Sequence, residues 1–222
     1  MAPLASILIG ESTTSDEVFL RFSATIVNIG AGDVLVAAFR SAPWSRWDVR
    51  QRIEDGTGGY SERSTGANLV FGGDGHEHWH MVAAEAHQLE DLNGTVVARL
   101  VKTGFCFFDN VVHAPDLEGA PDVSVHSAGG CGSQFDRDVT MGLSVGWGDE
   151  YQWFLLDQTI EIGAIPDGRY RLRAIADPGG LIEELRDQQR HLDDPRSRHT
   201  RWAPPSRSHR AGPCFLMTPV GR

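Results

Sequence analysis

The sequence predicts an all-β protein with a β-sandwich core, long connecting loops and little helix. Several short segments of the 222-residue chain alternate apolar and polar residues, which is the pattern of strands with one buried face. The 25 glycines and 11 prolines separate these segments, because both residues favour turns. Helical periodicity is weak, and at most residues 81–92 and 181–189 are expected to be helical. Many short strands with turns at this spacing are typical of an all-β sandwich.

The first predicted strand covers residues 17–27, where apolar side chains alternate onto one face. The alternating residues are Val18, Leu20, Phe22, Ala24 and Ile26. Residues 28–33 contain Asn, Asp and two glycines and are predicted to form a turn. A second strand at 34–39 follows directly, so the two strands are expected to form a hairpin.

Four further short segments have the composition of strands. They lie at 47–53, 95–101, 159–162 and 169–176. The turn Pro166-Asp167-Gly168 lies between the last two, which predicts a second hairpin. Residues 109–141 are rich in Pro, Gly, Asp and Ser and are expected to form a long loop region.

Composition divides the chain into three parts. A loose lead-in is expected over residues 1–16, a folded body over 17–187, and an Arg-, Pro- and Ser-rich tail over 188–222. From Asp187 onward seven arginines and three aspartates give a charge of +4. The formal net charge of the whole chain is −10, so the part before Asp187 carries −14. We expect the tail to be a flexible or peripherally docked extension.

The charge and the hydropathy pattern narrow the classes of function. A net charge of −10 argues against general nucleic-acid binding and suits cationic partners or substrates. No apolar run approaches the roughly 20 residues that a membrane-spanning helix needs, so no membrane span is expected. The first ten residues have no basic leader and are not expected to act as a secretory signal peptide. These features leave the localisation unassigned.

Three histidines at alternate positions, His76, His78 and His80, are the strongest local signal. In a strand, alternate residues share one face at a spacing of roughly 6.6 Å, so three imidazoles can converge on one metal ion. Three imidazole nitrogens without a nearby thiolate suit copper(II), zinc or iron, and intrinsic affinity favours copper. The sequence therefore predicts a copper site at these three residues.

Two other interpretations of this segment remain open. One is a polar His-rich surface loop, and the other is a zinc-hydrolase H-E-x-x-H motif in which His76 and His80 bind zinc and Glu77 is the base. The zinc motif needs a helix, and the glycine-rich residues 72–75 disfavour one. We expect the isolated histidines to be solvated rather than to bind metal, whereas for His87 both alternatives are left open. The isolated histidines are His113, His126, His191, His199 and His209.

Lys102 is the only lysine in a chain that contains 19 arginines. Coding bias can replace lysine with arginine wherever only charge is needed, so the remaining lysine is expected to supply amine chemistry that a guanidinium cannot. An ordinary surface lysine is the alternative. Tyrosine is also scarce, at three residues.

The order of several motifs resembles the catalytic domain of the lysyl oxidase family. The His-x-His-x-His triplet is followed by Lys102 shortly before the dipeptide Phe105-Cys106, and then by Gly142-Leu143-Ser144 nine residues ahead of Tyr151. A hairpin of Pro-Gly type ending in Tyr170 completes the series. The resemblance extends over roughly residues 17–187 and implies that this body is a catalytic domain.

The resemblance implies a role for each matching residue. His76, His78 and His80 match the copper ligands, and Lys102 and Tyr151 match the pair that forms the lysine tyrosylquinone cofactor. Only a phenol can become an ortho-quinone, and only a flexible primary amine can attack it.

Other positions are also candidates for a role in the site. Asp149 is a candidate general base, with a solvated loop acid as the alternative, and Glu77 is a candidate outer partner of the metal site. For Tyr151 the alternative is an ordinary buried tyrosine at a strand end. The three cysteines allow one bridge at most, and Cys106–Cys131 is the plausible pair because Cys106 matches a bridged family position.

The activity that the resemblance implies is oxidative deamination of a primary amine. R-CH₂-NH₂, O₂ and water give an aldehyde, ammonia and H₂O₂, and the amine is a small molecule or a lysine-containing protein or peptide. The family is usually secreted, which implies an extracellular location despite the missing leader. A zinc metallohydrolase and a non-enzymatic metal-binding sandwich remain the alternatives.

Overall fold

The computed structural model describes residues 2–11, 18–72, 75–102, 104–184 and 215–216 of the chain. These residues form an all-β, sandwich-like fold with a single short 3₁₀ helix at Ala128–Cys131, as the sequence predicts. The strands are β1 Ala2–Glu11, β2 Val18–Val27, β3 Val34–Phe39, β4 Asp48–Glu54, β5 Tyr60–Ser64, β6 Leu69–Phe71, β7 Trp79–Met81, β8 Glu85–Glu90, β9 Val96–Val101, β10 Val111–Val112, β11 Asp138–Leu143, β12 Trp147–Tyr151, β13 Thr159–Glu161, β14 Arg171–Ala176 and β15 Phe215–Leu216.

The strands form four antiparallel sheets. The first has the order β1-β2-β12-β10, with β13 also paired to β2, and the second has the order β11-β3-β4-β5. The third has the order β15-β14-β8-β9, and β6 and β7 form a two-stranded ribbon. In the described residues no helix is long and apolar enough to cross a membrane.

Strand β2 lies at the centre of the fold and joins its two apolar clusters. Ile26 belongs to the larger cluster, which contains residues of the second sheet and of the ribbon, whereas Leu20 and Phe22 belong to a smaller cluster with the third sheet. The opposite face of β2 is covered as well, so Ser23 and Thr25 are also buried. The predicted alternation of apolar residues therefore identifies one face of β2, whereas the structure also buries residues on its other face.

The predicted strands exist, but both predicted hairpins are wrong. Strand β2 pairs with β1, β12 and β13, whereas β3 pairs with β4 and β11 in another sheet. Strand β13 likewise pairs with β2, and β14 pairs with β8 and β15. A turn sequence specifies where the chain reverses. Which strands then pair depends on how much apolar surface each pairing buries.

Three further expectations differ from the structure. Residues 2–11 of the predicted loose lead-in form β1, and the β-branched and apolar composition of that segment favours a strand. Residues 81–92 contain parts of β7 and all of β8 rather than a helix. Residues 181–184 are not helical, and the rest of that predicted helix lies outside the described residues.

The long loop region at 109–141 is mostly irregular, as predicted, with β10 and the 3₁₀ helix within it and β11 beginning at its end. The predicted tail at 188–222 lies outside the described residues except for β15, which pairs with β14.

Candidate metal and cofactor site

The three histidines lie where the chain enters β7. His80 is inside the strand, whereas His76 and His78 belong to the turn that connects β6 to β7. The Gly72 amide donates a hydrogen bond to the carbonyl of His78 at 2.9 Å, which closes this turn. Gly72 has a φ of +67°, a conformation that glycine adopts without a steric cost. Gly72 thus closes the turn that presents the imidazoles.

Trp79 points away from the histidines and anchors the other side of β7. Its ring packs edge-on against Trp47 at 5.0 Å, and its indole nitrogen donates to the carbonyl of Ser133. The buried Arg40 guanidinium lies 4.4 Å from the Trp47 ring and 4.4 Å from the Trp79 ring. Burial lowers the pKa of this arginine despite the opposing effect of Asp136. These contacts fix the strand from the side opposite the three histidines.

The three imidazoles converge and can hold a metal ion. The ring centres of His76 and His78 are 5.2 Å apart, those of His78 and His80 are 4.5 Å apart, and those of His76 and His80 are 6.2 Å apart. One ring nitrogen from each residue lies within 4.8 Å of the other two. The rings lie closer than the spacing of a regular strand because two of the three residues are in a turn. Three imidazole donors suit copper(II) or zinc.

The helix that an H-E-x-x-H zinc motif requires is not present at residues 76–80. Glu77 is exposed, whereas His80 is 1% exposed and His76 and His78 are half-buried. Because a polar surface loop would leave all three rings in water, that interpretation does not fit either.

Lys102 is fully buried, so the interpretation as a surface lysine is wrong. It directly follows β9, and its amide donates to the carbonyl of Glu85 on the neighbouring strand β8. Its Nζ donates to Oε1 of Gln158 at 3.2 Å and lies 3.6 Å from Oδ1 of Asp157. An amine withdrawn from water needs such partners, because an unpaired buried charge is costly.

Tyr151 ends β12 and is 2% exposed. The centre of its ring lies 3.4 Å from Nζ of Lys102, 6.0 Å from the His76 ring and 6.4 Å from the His80 ring. Its hydroxyl oxygen accepts a hydrogen bond from the Cys106 amide at 3.0 Å. The structure therefore brings the only lysine against this phenol and beside the three imidazoles.

Backbone pairing accounts for this meeting of distant segments. Met81 and Phe105 exchange backbone hydrogen bonds of 2.7 and 2.9 Å, so the chain after Lys102 lies directly against the end of β7. Gly104 has to be glycine here, because an added Cβ would collide with Cβ of His80. A disulfide joins Cys106 to Cys131, and it fixes the segment that donates to the Tyr151 hydroxyl.

Asp149 is fully buried in β12, so it is not a solvated loop acid. It precedes Tyr151 by two residues, and the two side chains therefore lie on the same face of the strand. Nδ2 of Asn110 donates to Oδ1 of Asp149 at 2.7 Å, and the Asn110 side-chain oxygen accepts from the Glu150 amide.

Sequence reasoning missed several polar residues of this site. Gln158 is buried and links Lys102 to the backbone of β2 and β12, because its Nε2 donates to the carbonyls of Phe22 at 3.4 Å and Tyr151 at 3.3 Å. Glu85 and His87 are also fully buried, and Nε2 of His87 lies 3.4 Å from Oε1 of Glu85. Gln158 lies between the polar residues Asp157 and Thr159, so no local pattern distinguishes it as a buried residue or identifies its partners.

The Gly-Leu-Ser motif has a structural role at a second polar cluster. Oδ1 of Asp109 accepts from the Ser144 amide at 2.8 Å, and Oδ2 accepts from the Ser144 hydroxyl at 2.8 Å and the amides of Val125 at 2.9 Å and His126 at 3.0 Å. Burial acts to raise the pKa of Asp109, but these donors favour the charged form and lower the pKa below its usual value.

The prediction that His126 is solvated is wrong. Its Nε2 lies 2.9 Å from Oδ2 of Asp33, and this hydrogen bond raises the pKa of His126 above its usual value. Gly142 lies against the His126 ring, where any side chain would collide with it. His113 is exposed, as predicted, whereas His87 is buried; the other isolated histidines lie outside the described residues.

Comparison with known proteins gives no matching protein-family model and no significant match among curated proteins.

Proposed function

We propose that this protein is a copper- and quinone-dependent amine oxidase of the lysyl oxidase type, which converts primary amines to aldehydes. One observation carries the proposal: Nζ of Lys102 lies 3.4 Å from the centre of the Tyr151 ring, and both residues are buried beside three convergent histidines. An ordinary stabilising role does not require the only lysine of the chain at this position.

The donor set and the two side chains suit formation of an internal cofactor. His76, His78 and His80 would hold copper, which supplies the redox chemistry by which O₂ oxidises the phenol ring. Lys102 provides the nucleophilic amine, and a new bond joins its Nζ to a ring carbon of Tyr151. The cross-linked product contains one oxygen atom more and four hydrogen atoms fewer than the two residues, and two molecules of O₂ become one of water and one of H₂O₂.

The surrounding residues hold the two reacting groups in place. The Cys106 amide binds the Tyr151 hydroxyl, and Oε1 of Gln158 accepts a hydrogen bond from Nζ of Lys102. Burial of both groups excludes water, and this prevents side reactions of an oxidised ring. Such positioning lowers the barrier of a reaction between two tethered groups.

The reaction proposed for the mature site is R-CH₂-NH₂ + O₂ + H₂O → R-CHO + NH₃ + H₂O₂. A quinone formed from Lys102 and Tyr151 would supply the redox chemistry that transfers electrons from the amine to O₂. Asp149, which is buried on the Tyr151 face of β12, is the proposed general base for the substrate α-proton. The net charge of −10 attracts protonated amines and lysine-containing peptides.

Peptide mass mapping tests the proposal directly. Metal-free protein is loaded with copper, exposed to air and digested, and a cross-linked peptide pair containing Lys102 and Tyr151 is expected, with the atom balance given above. The same material should acquire a visible quinone absorption band and release H₂O₂ from primary amines. Lys102→Met and Tyr151→Phe should lose the cross-link, the band and the activity.

Tyr170→Phe is the matched control, since its hydroxyl only donates to the carbonyl of Pro166 in an exposed loop. Folded, copper-replete and aerated protein without the cross-link would reject the oxidase. Peptide cleavage that disappears in Glu77→Gln would instead support a zinc hydrolase, and stoichiometric metal with neither activity would support a non-enzymatic metal-binding protein.

A further inference from the structure

The loop between β12 and β13 combines a sheltered carboxylate with an apolar outer surface. Asp157 is 11% exposed and lies 3.6 Å from Nζ of Lys102, which is itself fully buried. Trp153, Phe154 and Leu156 of the same loop are 39%, 59% and 74% exposed. The loop thus presents apolar side chains to solvent and directs its acidic group toward the Lys102–Tyr151 pair.

The backbone of this loop is held in place. The Trp153 amide donates to Oγ of Ser23 on β2 at 3.0 Å, and the Leu155 and Gln158 amides donate to carbonyls within the loop. Leu155 also packs against the larger apolar cluster. The outward-facing residues are therefore displayed on an ordered segment, which lowers the entropic cost of binding a ligand.

From this arrangement we infer that Asp157 binds the ammonium group of the substrate, and that the substrates are primary amines with an apolar chain. This inference rests on the proposed function. Before cross-linking, Asp157 is the counter-ion of the Lys102 ammonium. Once Nζ is bonded to the electron-poor ring of Tyr151, it is no longer an ammonium, so the ion pair between Lys102 and Asp157 is lost.

A substrate ammonium replaces the charge that the cross-link removes. A carboxylate with little solvent exposure pairs more strongly with a cation than a surface carboxylate does. The ammonium must lose one proton before its nitrogen can attack the cofactor, and the Asp157 carboxylate in contact with it accepts that proton. The chain of the amine then extends outward along Trp153, Phe154 and Leu156, where contact with apolar surface contributes to binding.

Steady-state kinetics of the mature enzyme test the ammonium site. For Asp157→Asn we expect KM for hexylamine to rise at least about 10-fold because the contact with the ammonium is lost, and we expect kcat to fall as well because the proton acceptor is lost. Asp122→Asn, which removes a carboxylate exposed on another loop, is the matched control and should leave KM unchanged. An unchanged KM in Asp157→Asn protein that contains the cross-link would overturn the inference.

The chain-length dependence tests the apolar part. Leu156→Ser should raise KM for hexylamine about 3-fold or more and should have little effect on KM for ethylamine, which is too short to reach the outer loop. Equal effects on both amines would show that the loop does not contact the chain of the substrate.

A second measurement uses metal-free protein that has not formed the cross-link and does not depend on turnover. Asp157→Asn should lower the Tm when Lys102 is present, and it should lower the Tm much less in the Lys102→Met background, since only the first protein contains the ion pair. Equal losses in both backgrounds would contradict the pairing from which the inference starts.

The two measurements separate the inference from the proposed function. Wild-type protein without a cross-link would reject the oxidase even if the Tm coupling were found. Active wild-type protein with unchanged kinetics in Asp157→Asn would retain the oxidase and reject Asp157 as its ammonium site.

Discussion

Lys102 and Asp109 are both ionisable side chains withdrawn from water, yet the surroundings of the two differ in kind. Asp109 accepts hydrogen bonds of 2.8–3.0 Å from three backbone amides and one hydroxyl. The described partners of the Lys102 amine, in contrast, are side chains: Gln158 at 3.2 Å, Asp157 at 3.6 Å, and the rings of Tyr151 and Phe105.

This difference separates a structural cluster from a reactive one. At Asp109 one carboxylate fixes the backbone of a long loop and of the turn after β11, so its loss would release several segments. At Lys102 the fold brings side chains of different strands and loops to one amine, which places a nucleophile against an oxidisable ring. We therefore expect variants of the first cluster to change stability and variants of the second to change chemistry.

The largest effect is expected at the metal ligands. His78→Ala should reduce copper affinity at least about 100-fold, because one of three imidazole donors is lost and the remaining two cannot enclose the ion. Copper content after dialysis measures this. His113→Ala, which removes an exposed histidine, should retain the copper content of the wild type. Full copper binding by His78→Ala would remove this residue from the proposed site.

A smaller effect, on stability, is expected at the structural cluster. Asp109→Asn replaces one accepting oxygen with an amide that faces N–H donors, and we expect it to lower the free energy of unfolding by about 2–4 kcal/mol. Urea unfolding measures this loss, with Asp122→Asn as the exposed control. The copper stoichiometry of the folded fraction should stay unchanged. A loss of copper binding in folded Asp109→Asn protein would show that the Asp109 cluster is not purely structural.

The smallest effect is pH-dependent and belongs to the His126–Asp33 contact. The hydrogen bond to Asp33 raises the pKa of His126, and the charges of Asp109 and Glu54 act in the same direction. Because the folded pKa lies above the unfolded value of about 6.5, this stabilisation is fully present below pH 6.5. It is lost as the pH rises through the folded pKa.

His126→Gln should therefore cost about 0.5–1 kcal/mol more at acidic pH than at alkaline pH. Urea unfolding of both proteins across this range measures the difference. A cost that is the same at all pH values would show that the contact does not depend on the protonated imidazole.

Several features were predictable from the sequence because they depend on local patterns. Alternating apolar residues identified the strand at 17–27, and many short strands separated by turns, with only weak helical periodicity, identified the fold class. The prediction that the rings of His76, His78 and His80 can hold one ion is confirmed, but the strand geometry on which it rested is wrong for His76 and His78, which lie in a turn. The hairpins were wrong, since a local turn does not determine which strand lies beside β2.

The sequence by itself determined the kinds of group available to this protein: one primary amine, few phenols, three closely spaced imidazoles and short strands of high β propensity. Only the tertiary structure decided which of these groups meet. The pairing of β12 with β2 positions Tyr151, and the pairing of Phe105 with Met81 brings Lys102 beside it. The partners of the amine, Asp157 and Gln158, lie far from it in the chain, and such contacts depend on long-range strand pairing and burial rather than on local sequence.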